Sequence, residues 1–423
     1  MLRVLSVDLG ATSARVVAVD LDASPPSVEV VHRHAHRPVR RADGSLRWDW
    51  DGLRAAVVQG LEAALAAGPA ASIGIDAWGV DYGLLDREGR LLSEPYSYRD
   101  ERTASWRDVA ASIGVERLYR VSGIQLLAIN TVFQLAAHDR KELERAHRLL
   151  MIPELVVHEL TGIETGERTS AGTTALVDLA TGGWSEELLA DIAVDPRLLP
   201  PVASAGRCVG TWRGVSVHLV GGHDTASAVA ALPGPQPPGA AFVSSGTWML
   251  VGVERPSADV SDAARLANFS NERGALAGVR FLKNLAGLWL LEECRRGWGS
   301  PAIEELVAAA EAAGPSRALV DPNDARFVAP VDMEAEVRAA AGLPTGAGRD
   351  RVVRTIVESL AAATAGVVHE LEAFLGRPVP EVHVLGGGDH AFPGDVRSEP
   401  DVGLDCSRKQ KYILQNNSEC ATQ

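Results

Sequence analysis

The first residues that could do chemistry are an aspartate near the N-terminus and the turn of small residues that follows it. Asp8 lies at the end of an apolar run, and residues 11–14 separate that run from a second one. A turn of small residues leaves its backbone N–H groups free to bind an anion, and the hydroxyls of Thr12 and Ser13 add donors for phosphate. Asp8 would then hold a magnesium ion against those phosphates, directly or through water. The alternative is an ordinary β-hairpin with a surface turn.

A second candidate is Asp224, which comes after an apolar run at residues 215–220 and a pair of glycines. The residues after it are typical of a helix, so Asp224 is expected at a strand-to-helix turn. There its carboxylate could cap the helix N-terminus. It could also act as a general base that takes a proton from a hydroxyl attacking a nucleotide's terminal phosphate, a step worth about 10²–10⁴ in rate. The two roles are compatible, and the residues alone leave both open.

Strands and helices must position these two aspartates. Asp8 and the turn lie between two apolar runs that predict a β-hairpin. Residues 51–67 repeat Leu and Ala at helical spacing, with Asp49 or Asp51 as the N-cap. Residues 71–82 follow as an apolar, β-rich stretch. This order of strand, helix and strand predicts an α/β layer fold.

The second half of the chain repeats the opening plan. Residues 241–253 form a second hairpin-like segment with a small polar turn at residues 244–247. Two facing turns of this kind are what a two-lobed nucleotide cleft requires. The Pro/Gly-dense residues 233–239 are the predicted boundary between lobes. Residues 352–375 predict a long helix, and residues 381–385 predict a strand that runs into three glycines.

Length, composition and charge restrict the class of protein. A chain of 423 residues favours two domains of roughly 200 residues each. No apolar run approaches the roughly 20 residues needed to span a bilayer, and the N-terminus has no cleavage pattern. The four cysteines show no paired spacing, which is typical of a reducing compartment. We therefore expect a cytoplasmic protein, a monomer or homodimer, without a membrane partner.

The net charge of -14 and the absence of a Lys/Arg cluster disfavour binding to a nucleic acid.

Several segments carry a family resemblance. Residues 7–15, Val-Asp-Leu-Gly-Ala-Thr-Ser-Ala-Arg, resemble the first phosphate motif of the FGGY family of carbohydrate kinases. Further segments resemble the bacterial rhamnulokinases within that family, and they follow in order from residue 4 to about residue 388. These segments are residues 74–82 with 84–86, 98–103, 122–125 with 130–131, 223–229, 244–248, and 283–284 with 287–291.

The resemblance implies an α/β fold of two actin-like, ribonuclease H-like ATPase lobes with an active-site cleft between them. Residues 1–232 would form the sugar-binding N-terminal lobe and residues 233–388 the nucleotide-binding C-terminal lobe. The implied activity is ATP- and Mg²⁺-dependent phosphorylation of a ketose at its primary hydroxyl. The ketose that the resemblance favours is L-rhamnulose, which would be converted to L-rhamnulose 1-phosphate.

The resemblance also implies the roles of individual residues. Asp224 would be the catalytic base and would bind the sugar together with Gly79, His223 and Thr225. Trp78 would pack either against the sugar or simply in the core. The ATP-binding residues that the resemblance implies are Ala11, Thr12, Ser13, Ala14, Arg15, Thr247, Asn284 and Gly387.

Three alternating histidines, His32, His34 and His36, have the strand spacing of a metal site. No acidic or sulfur ligand accompanies them at a telling spacing, and arginines lie between them. The pattern is therefore interpreted as a solvated strand face.

Residues 389–423 do not resemble the family's closing segment, and we interpret them as a frame-shifted or truncated reading frame that leaves the second lobe incomplete. Glu292 stands where the family commonly has Gln. Three alternatives therefore stay open: a kinase for another ketose such as xylulose or fuculose, a sugar-responsive regulator, and a degenerate sugar-binding pseudokinase. The regulator is disfavoured because the chain starts directly with the first strand and is acidic.

Overall fold

The computed structural model describes residues 2–232, 236–316, 318–344 and 346–386. Gly387 and the tail at residues 389–423 therefore lie outside the described residues.

The described chain divides into two compact units. The first unit contains residues 2–232 and 255–281, and the second unit contains residues 236–254 and 282–386. Residues 255–281 thus group with the first unit, although the sequence-based division places them in the second lobe. The assignment of sugar binding to one lobe and nucleotide binding to the other stays a prediction.

The strands and helices alternate along much of the chain. The strands are β1 Arg3–Leu9, β2 Ser13–Asp20, β3 Ser27–Ala35, β4 Pro38–Arg40, β5 Leu46–Trp48, β6 Ser72–Ala77, β7 Tyr82–Leu85, β8 Arg148–Met151, β9 Gly166–Glu167, β10 Val202–Ala203, β11 Cys208–Trp212, β12 Val215–His223, β13 Ala241–Ser245, β14 Trp248–Arg255, β15 Ser270–Arg273, β16 Val279–Ala286 and β17 Val382–Leu385. The helices are α1 Trp50–Ala67, α2 Trp106–Ile113, α3 Val115–Ser122, α4 Thr131–Ala136, α5 Arg140–Arg145, α6 Ile152–Thr161, α7 Arg168–Ala171, α8 Glu186–Asp191, α9 Asp224–Ala230, α10 Asp262–Leu266, α11 Trp289–Gly297, α12 Ile303–Ala312, α13 Met333–Ala341 and α14 Arg349–Leu375.

The main sheet of the first unit has the strand order β11-β12-β6-β1-β2-β3. Its three central strands, β12, β6 and β1, are parallel, and the flanking strands pair antiparallel. Leu5, Val7 and Leu9 on one face of β1 are fully buried, and Val4 and Ser6 on the other face are also buried, as expected for a strand that is covered on both faces. In sheets of this kind ligands bind beyond the carboxyl ends of the parallel strands, and that edge is where the candidate residues lie.

Helix α1 covers this sheet. The sequence-based helix and its cap are confirmed, because the Asp49 side chain accepts a hydrogen bond from the Gly52 backbone N–H at 3.1 Å. Gly60 is required for close packing on β2, since a Cβ at this position would lie 2.5 Å from Cγ2 of Val16. Leu53 and Leu61 are buried and fix which face of the helix meets the strands.

A second core in the first unit lies around the antiparallel strand pair β7–β8 and the helices α2, α3, α4 and α8. Leu118, Phe133, Leu149 and Leu188 are among its buried members. This layer supports the segment that follows β6, because α4 supplies side chains that bind that segment directly.

The second unit contains the hairpin predicted for residues 241–253, and β13 and β14 pair antiparallel as expected. Strand β17 then pairs parallel with β13, in the strand order β16-β14-β13-β17. Helix α14 packs against α12 and α13. Among the described residues, α14 is long and apolar enough in composition to cross a membrane, but 78% of its apolar 18-residue window is buried within the protein, as in a core helix.

Candidate active site

Three aspartates meet at the carboxyl ends of the parallel strands. Asp8 on β1 and Asp76 on β6 are direct partners in the strand register. Ala77 pairs in turn with His223 at the end of β12, and Asp224 follows immediately. The parallel register therefore brings Asp8, Asp76 and Asp224 to one edge of the sheet.

The electrostatics of this edge are dominated by negative charge. Burial raises the pKa of Asp76 well above its usual value, and the charges of Asp8 and Asp224 raise it further. Burial also raises the pKa of Asp8; Arg15, whose guanidinium pairs with Oδ2 of Asp8, opposes the rise, and Asp224 adds to it. Arg15 and, more weakly, Arg33 oppose the mutual repulsion of these carboxyl groups at Asp8, and an additional cation at this edge would be stabilised.

The carboxyl groups at this edge suit a magnesium ion that takes most of its ligands from water and substrate phosphates. Among the described residues, no group of three or more His, Cys, Asp or Glu side chains is arranged to enclose a metal ion. Mg²⁺ characteristically keeps several waters and is held by one or two carboxylates plus substrate phosphates. The hard oxygen donors of Asp8 and its neighbours suit that mode of binding, and a bound cation would favour their ionised form.

The β1–β2 turn is anchored at its base and open at its tip. The Gly10 N–H donates to the Ser13 carbonyl at 3.0 Å, and the His36 N–H donates to the Thr12 carbonyl at 3.0 Å. Ring atom Nε2 of His36 lies 2.9 Å from the Gly10 carbonyl oxygen. Thr12 itself is exposed. The turn from Ala11 to Ala14 is thus held in place while its tip faces solvent.

The interpretation of the three histidines as a solvated strand face is wrong for His36. Strand β3 ends before His36, and its ring packs against the indoles of Trp48 and Trp78, with centroid distances of 5.4 and 5.5 Å. Burial lowers the pKa of His36 to about 4, so the ring is neutral at physiological pH. His32 and His34 remain in β3 and are partly exposed.

The loop after β6, residues 78–81, is held in a strained conformation. Val80 has φ of +69°, which is unusual for a β-branched residue, and the Asp81 N–H donates to the Gly79 carbonyl at 3.0 Å across it, as in a γ-turn. The Val80 carbonyl accepts from Thr131 Oγ1 at 2.7 Å, and its N–H donates to Thr173 Oγ1 at 3.1 Å. Such strain persists only where the surroundings over-determine the backbone, and it is typical of ligand-binding segments.

The Asp81 side chain anchors the same loop through four hydrogen bonds. Its buried carboxylate accepts N–H donors from Trp48 at 2.7 Å, Trp78 at 3.0 Å, Gln134 at 3.0 Å and the Tyr98 backbone at 3.2 Å. Burial nevertheless raises the pKa of Asp81 to about 6. Because the Trp78 ring is buried and donates to Asp81, its packing fits the core alternative.

Gly79 lies in the middle of this loop with no room for a side chain. A Cβ there would be 3.0 Å from both Cγ2 and Oγ1 of Thr173. The Thr173 hydroxyl is fixed, since it donates to the Ser170 carbonyl at 2.8 Å. Any larger residue at position 79 would collide with the fixed Thr173 side chain, so glycine is the residue that fits here.

Asp224 is the first residue of α9, and the cap position belongs to His223, which makes no side-chain capping bond. The N-cap alternative for Asp224 is therefore wrong. Oδ1 of Asp224 accepts from the Thr225 N–H at 2.5 Å and the Thr225 hydroxyl at 3.2 Å, and it lies 3.3 Å from Nε2 of His223. The Asp224 side chain is 37% exposed, so its other oxygen, Oδ2, can meet a ligand.

The turn before Asp224 is fixed by Glu167, which reasoning from the sequence missed. Oε2 of Glu167 accepts from the Gly222 N–H at 2.9 Å and the Thr169 N–H at 2.8 Å. The Thr169 hydroxyl then accepts from the His223 N–H at 3.0 Å. A second missed pair, Glu272 and Arg280, contacts the His223 ring. No local pattern marks these residues, because strand pairing and packing bring them together.

In the second unit, Thr247 of the predicted nucleotide residues lies in the β13–β14 turn, between β13 and β14. The Thr247 carbonyl accepts from the Gly287 N–H at 3.2 Å, and the Gly246 carbonyl accepts from the Leu288 N–H at 2.9 Å. Gly386, with φ of +98°, lies against Ser245, since a Cβ there would be 2.4 Å from the Ser245 carbonyl oxygen. Asn284 lies on the neighbouring strand β16.

Glu292 faces its own helix, where its carboxylate pairs with Arg295 at 2.7 Å.

The chain is similar to known carbohydrate kinases. The model of the FGGY family of carbohydrate kinases, N-terminal domain, matches residues 3–231, and the model of the C-terminal domain matches residues 241–390. A rhamnulokinase of Klebsiella pneumoniae subsp. pneumoniae is 38% identical over 399 residues, which are 91% of this chain and 81% of the relative. A rhamnulokinase of Bacteroides thetaiotaomicron is 36% identical over 401 residues, 90% of this chain and 82% of the relative.

A solved structure of similar fold is a ligand-bound xylulose kinase from Lactobacillus acidophilus, with a TM-score of 0.73 and 16% identity over 94% of this chain and 83% of that chain. At this identity the likeness shows the fold alone, which confirms the predicted actin-like α/β architecture.

Proposed function

Because the chain belongs to the FGGY family of carbohydrate kinases, we propose that it transfers the γ-phosphoryl group of ATP to the primary hydroxyl of L-rhamnulose, giving L-rhamnulose 1-phosphate and ADP. The choice of sugar is supported by the rhamnulokinases that are 36% and 38% identical over about nine-tenths of the chain. The protein is a sugar kinase; the particular ketose is the proposal. We also infer a cytoplasmic enzyme whose partners are small molecules.

The observation that carries the chemistry is the position of Asp224 at the carboxyl end of β12, with one oxygen held and the other accessible. Oδ2 of Asp224 accepts the proton of the attacking sugar hydroxyl. A bond forms between the sugar oxygen and the γ-phosphorus, the bond from that phosphorus to the β,γ-bridging oxygen breaks, and ADP leaves. General bases placed in this way contribute about 10²–10⁴ in rate.

The remaining residues bind and orient the reactants. His223 and Thr225 hold the Asp224 carboxylate and bind the sugar with it, while Gly79 lines the sugar site through its backbone. The nucleotide phosphates bind the turn from Ala11 to Ala14, with Arg15 at its base. The assignment of Thr247, Asn284 and Gly387 to ATP binding rests on the family resemblance alone. Mg²⁺, held near Asp8 through water, would neutralise charge on the phosphates. Such positioning is most of what phosphoryl transfer requires from a protein.

A coupled assay of ADP production over a panel of sugars tests this function. We expect ADP release that depends on L-rhamnulose, with weaker or no response to xylulose, L-fuculose and glycerol. Release with another ketose alone would move the specificity to that sugar. Thermal shifts measured separately with sugar and with ATP add a second readout: sugar-only stabilisation without ADP release would identify the degenerate pseudokinase and contradict the proposal.

A further inference from the structure

The imidazole of His223 lies between Asp224 and a buried ion pair. Nη2 of Arg280 lies 3.1 Å from Nδ1 of His223 and 2.9 Å from Oε2 of Glu272. On the other side of the ring, Nε2 of His223 lies 3.3 Å from Oδ1 of Asp224. Arg280 is 0% exposed, and Glu272 and His223 are also buried. Water therefore has little access to the groups that decide which ring nitrogen carries the proton.

Arginine can only donate in this contact. Its guanidinium has five N–H donors, has no acceptor and stays charged in proteins. The hydrogen bond from Nη2 of Arg280 therefore requires Nδ1 of His223 to be unprotonated. The proton of the neutral ring must then be on Nε2, which faces Asp224.

Glu272 makes this arrangement stable. A buried guanidinium needs a counter-charge, and Oε2 of Glu272 supplies it. The Arg280 side chain is further held through Nε, which donates to the Arg273 carbonyl at 3.4 Å. Oε2 of Glu272 also lies 3.3 Å from Nδ1 of His223, so without Arg280 the ring could place its proton on Nδ1 and face the carboxylate. Arg280 is thus the group that decides the tautomer.

We propose that Arg280 and Glu272 are positioning residues that hold His223 as the neutral Nε2–H tautomer. That N–H directs Oδ1 of Asp224, which Thr225 also holds, and leaves Oδ2 to receive the sugar proton. Among the described residues, the hydrogen bonds of the Asp224 carboxylate are made by Oδ1, in agreement with an Oδ1 that is held and an Oδ2 that receives the proton. The inference rests on the proposed function of Asp224 as the base, but its structural part does not require turnover.

The first test is the ¹⁵N spectrum of histidine-labelled protein at neutral pH, with the His223 signals assigned by their loss in His223→Asn. We expect the long-range ¹H–¹⁵N pattern of a ring with an unprotonated Nδ1 and a protonated Nε2. A ring protonated on Nδ1, on both nitrogens, or in exchange between tautomers would overturn the proposal. This measurement uses the wild-type protein, so it is decisive even if a variant at Arg280 fails to fold.

The second test replaces the ion pair by apolar residues of similar volume, Arg280→Met with Glu272→Met, since such replacements often preserve the fold. We expect a loss of the tautomer pattern and a fall in kcat of about 10²-fold, the scale of a small misplacement of a reacting group. The KM values for sugar and ATP should stay within a few-fold. Arg280→Lys, which keeps a charged donor, should restore part of kcat. A double variant with wild-type kcat and an unchanged tautomer would refute the inference.

A matched control is the buried pair Arg354 and Glu358 on helix α14, whose Nε and Oε1 lie 2.6 Å apart. Arg354→Met with Glu358→Met removes an ion pair of the same kind far along the chain from His223. It should leave the histidine spectrum and kcat unchanged, whatever it does to the melting temperature; an equal loss of kcat would point to a general folding effect and contradict the proposed role of Arg280. If the wild type releases no ADP with any sugar, the proposed function fails, while the spectrum still decides the tautomer.

Discussion

Replacement of Asp81 by Asn perturbs the anchor of the loop that carries Gly79. Oδ2 of Asp81 accepts three N–H groups, and Oδ1 accepts the Gln134 amide at 3.0 Å. An Asn side chain can keep the three donors on its single oxygen, but its NH₂ then faces the NH₂ of Gln134. Gln134 cannot turn over freely, because its own oxygen accepts from Arg102 at 2.6 Å and its NH₂ donates to the Ile129 carbonyl at 2.8 Å.

The magnitude has a constant part and a pH-dependent part. The unfavourable pair of NH₂ groups costs about 1–3 kcal/mol at every pH. Burial raises the pKa of Asp81 from 3.8 to about 6, which makes ionisation in the folded protein about 3 kcal/mol less favourable than in the unfolded chain. Protonated Asp81 therefore makes its full contribution to the free energy of unfolding of the wild type below pH 3.8, and this contribution is lost as the pH rises to about 6. Asn does not titrate, so the variant has no corresponding loss.

The assay is urea unfolding of both proteins between pH 4 and pH 7, followed by tryptophan fluorescence. The free energy of unfolding of Asp81→Asn should lie about 0.5–2.5 kcal/mol below wild type at pH 4, and the difference should move by about 2.5 kcal/mol in favour of the variant by pH 7. Asp86→Asn is the control of opposite sign, because hydrogen bonds led by the Arg90 N–H lower the pKa of Asp86. The reasoning would be refuted if the difference in the free energy of unfolding between Asp81→Asn and wild type did not change with pH, or if it changed in favour of the wild type as the pH rose.

Three further predictions concern single substitutions. Gly79→Ala places a methyl 3.0 Å from Thr173 and should cost about 1–3 kcal/mol of stability or sugar binding; unchanged melting temperature and sugar KM would contradict the packing described. Gly287→Ala places a Cβ 2.6 Å from the Gly246 carbonyl oxygen and should raise the KM for ATP about tenfold or more, while the sugar KM stays constant; an effect on sugar KM alone would count against the site. Burial raises the pKa of Glu154 to about 8, so Glu154→Gln should leave the melting temperature nearly unchanged at pH 4.5 and raise it at pH 8, and the reverse trend would show that this carboxyl is not held protonated.

Local patterns in the sequence predict much of this fold. The opening hairpin, the helix capped by Asp49 and the hairpin at residues 241–253 each follow from periodicity and turn residues within about 20 positions, and all three are confirmed. The location of Asp224 between a strand and a helix is confirmed in the same way. Its position one residue inside the helix could not be predicted, because helix boundaries depend on backbone angles that neighbouring residues do not fix.

Features that depend on distant segments could not be predicted. Asp76 is ordinary in sequence and becomes a partner of Asp8 only through the parallel register of β1 and β6. The donors to Asp81 come from three segments far apart along the chain, so its role is invisible before folding. His36 follows the alternation of a strand, but the strand ends before it and the ring packs on tryptophans instead.

The central claim, that Asp224 takes the proton from the sugar hydroxyl, is tested most directly by single-turnover phosphoryl transfer in Asp224→Asn. Asp332→Asn is the matched control, because Asp332 caps α13 and Asn caps helices equally well. We expect the rate constant of Asp224→Asn to fall by about 10²–10⁴ with an unchanged melting temperature, and that of Asp332→Asn to equal wild type. A folded Asp224→Asn enzyme that transfers phosphate at nearly the wild-type rate would contradict the account.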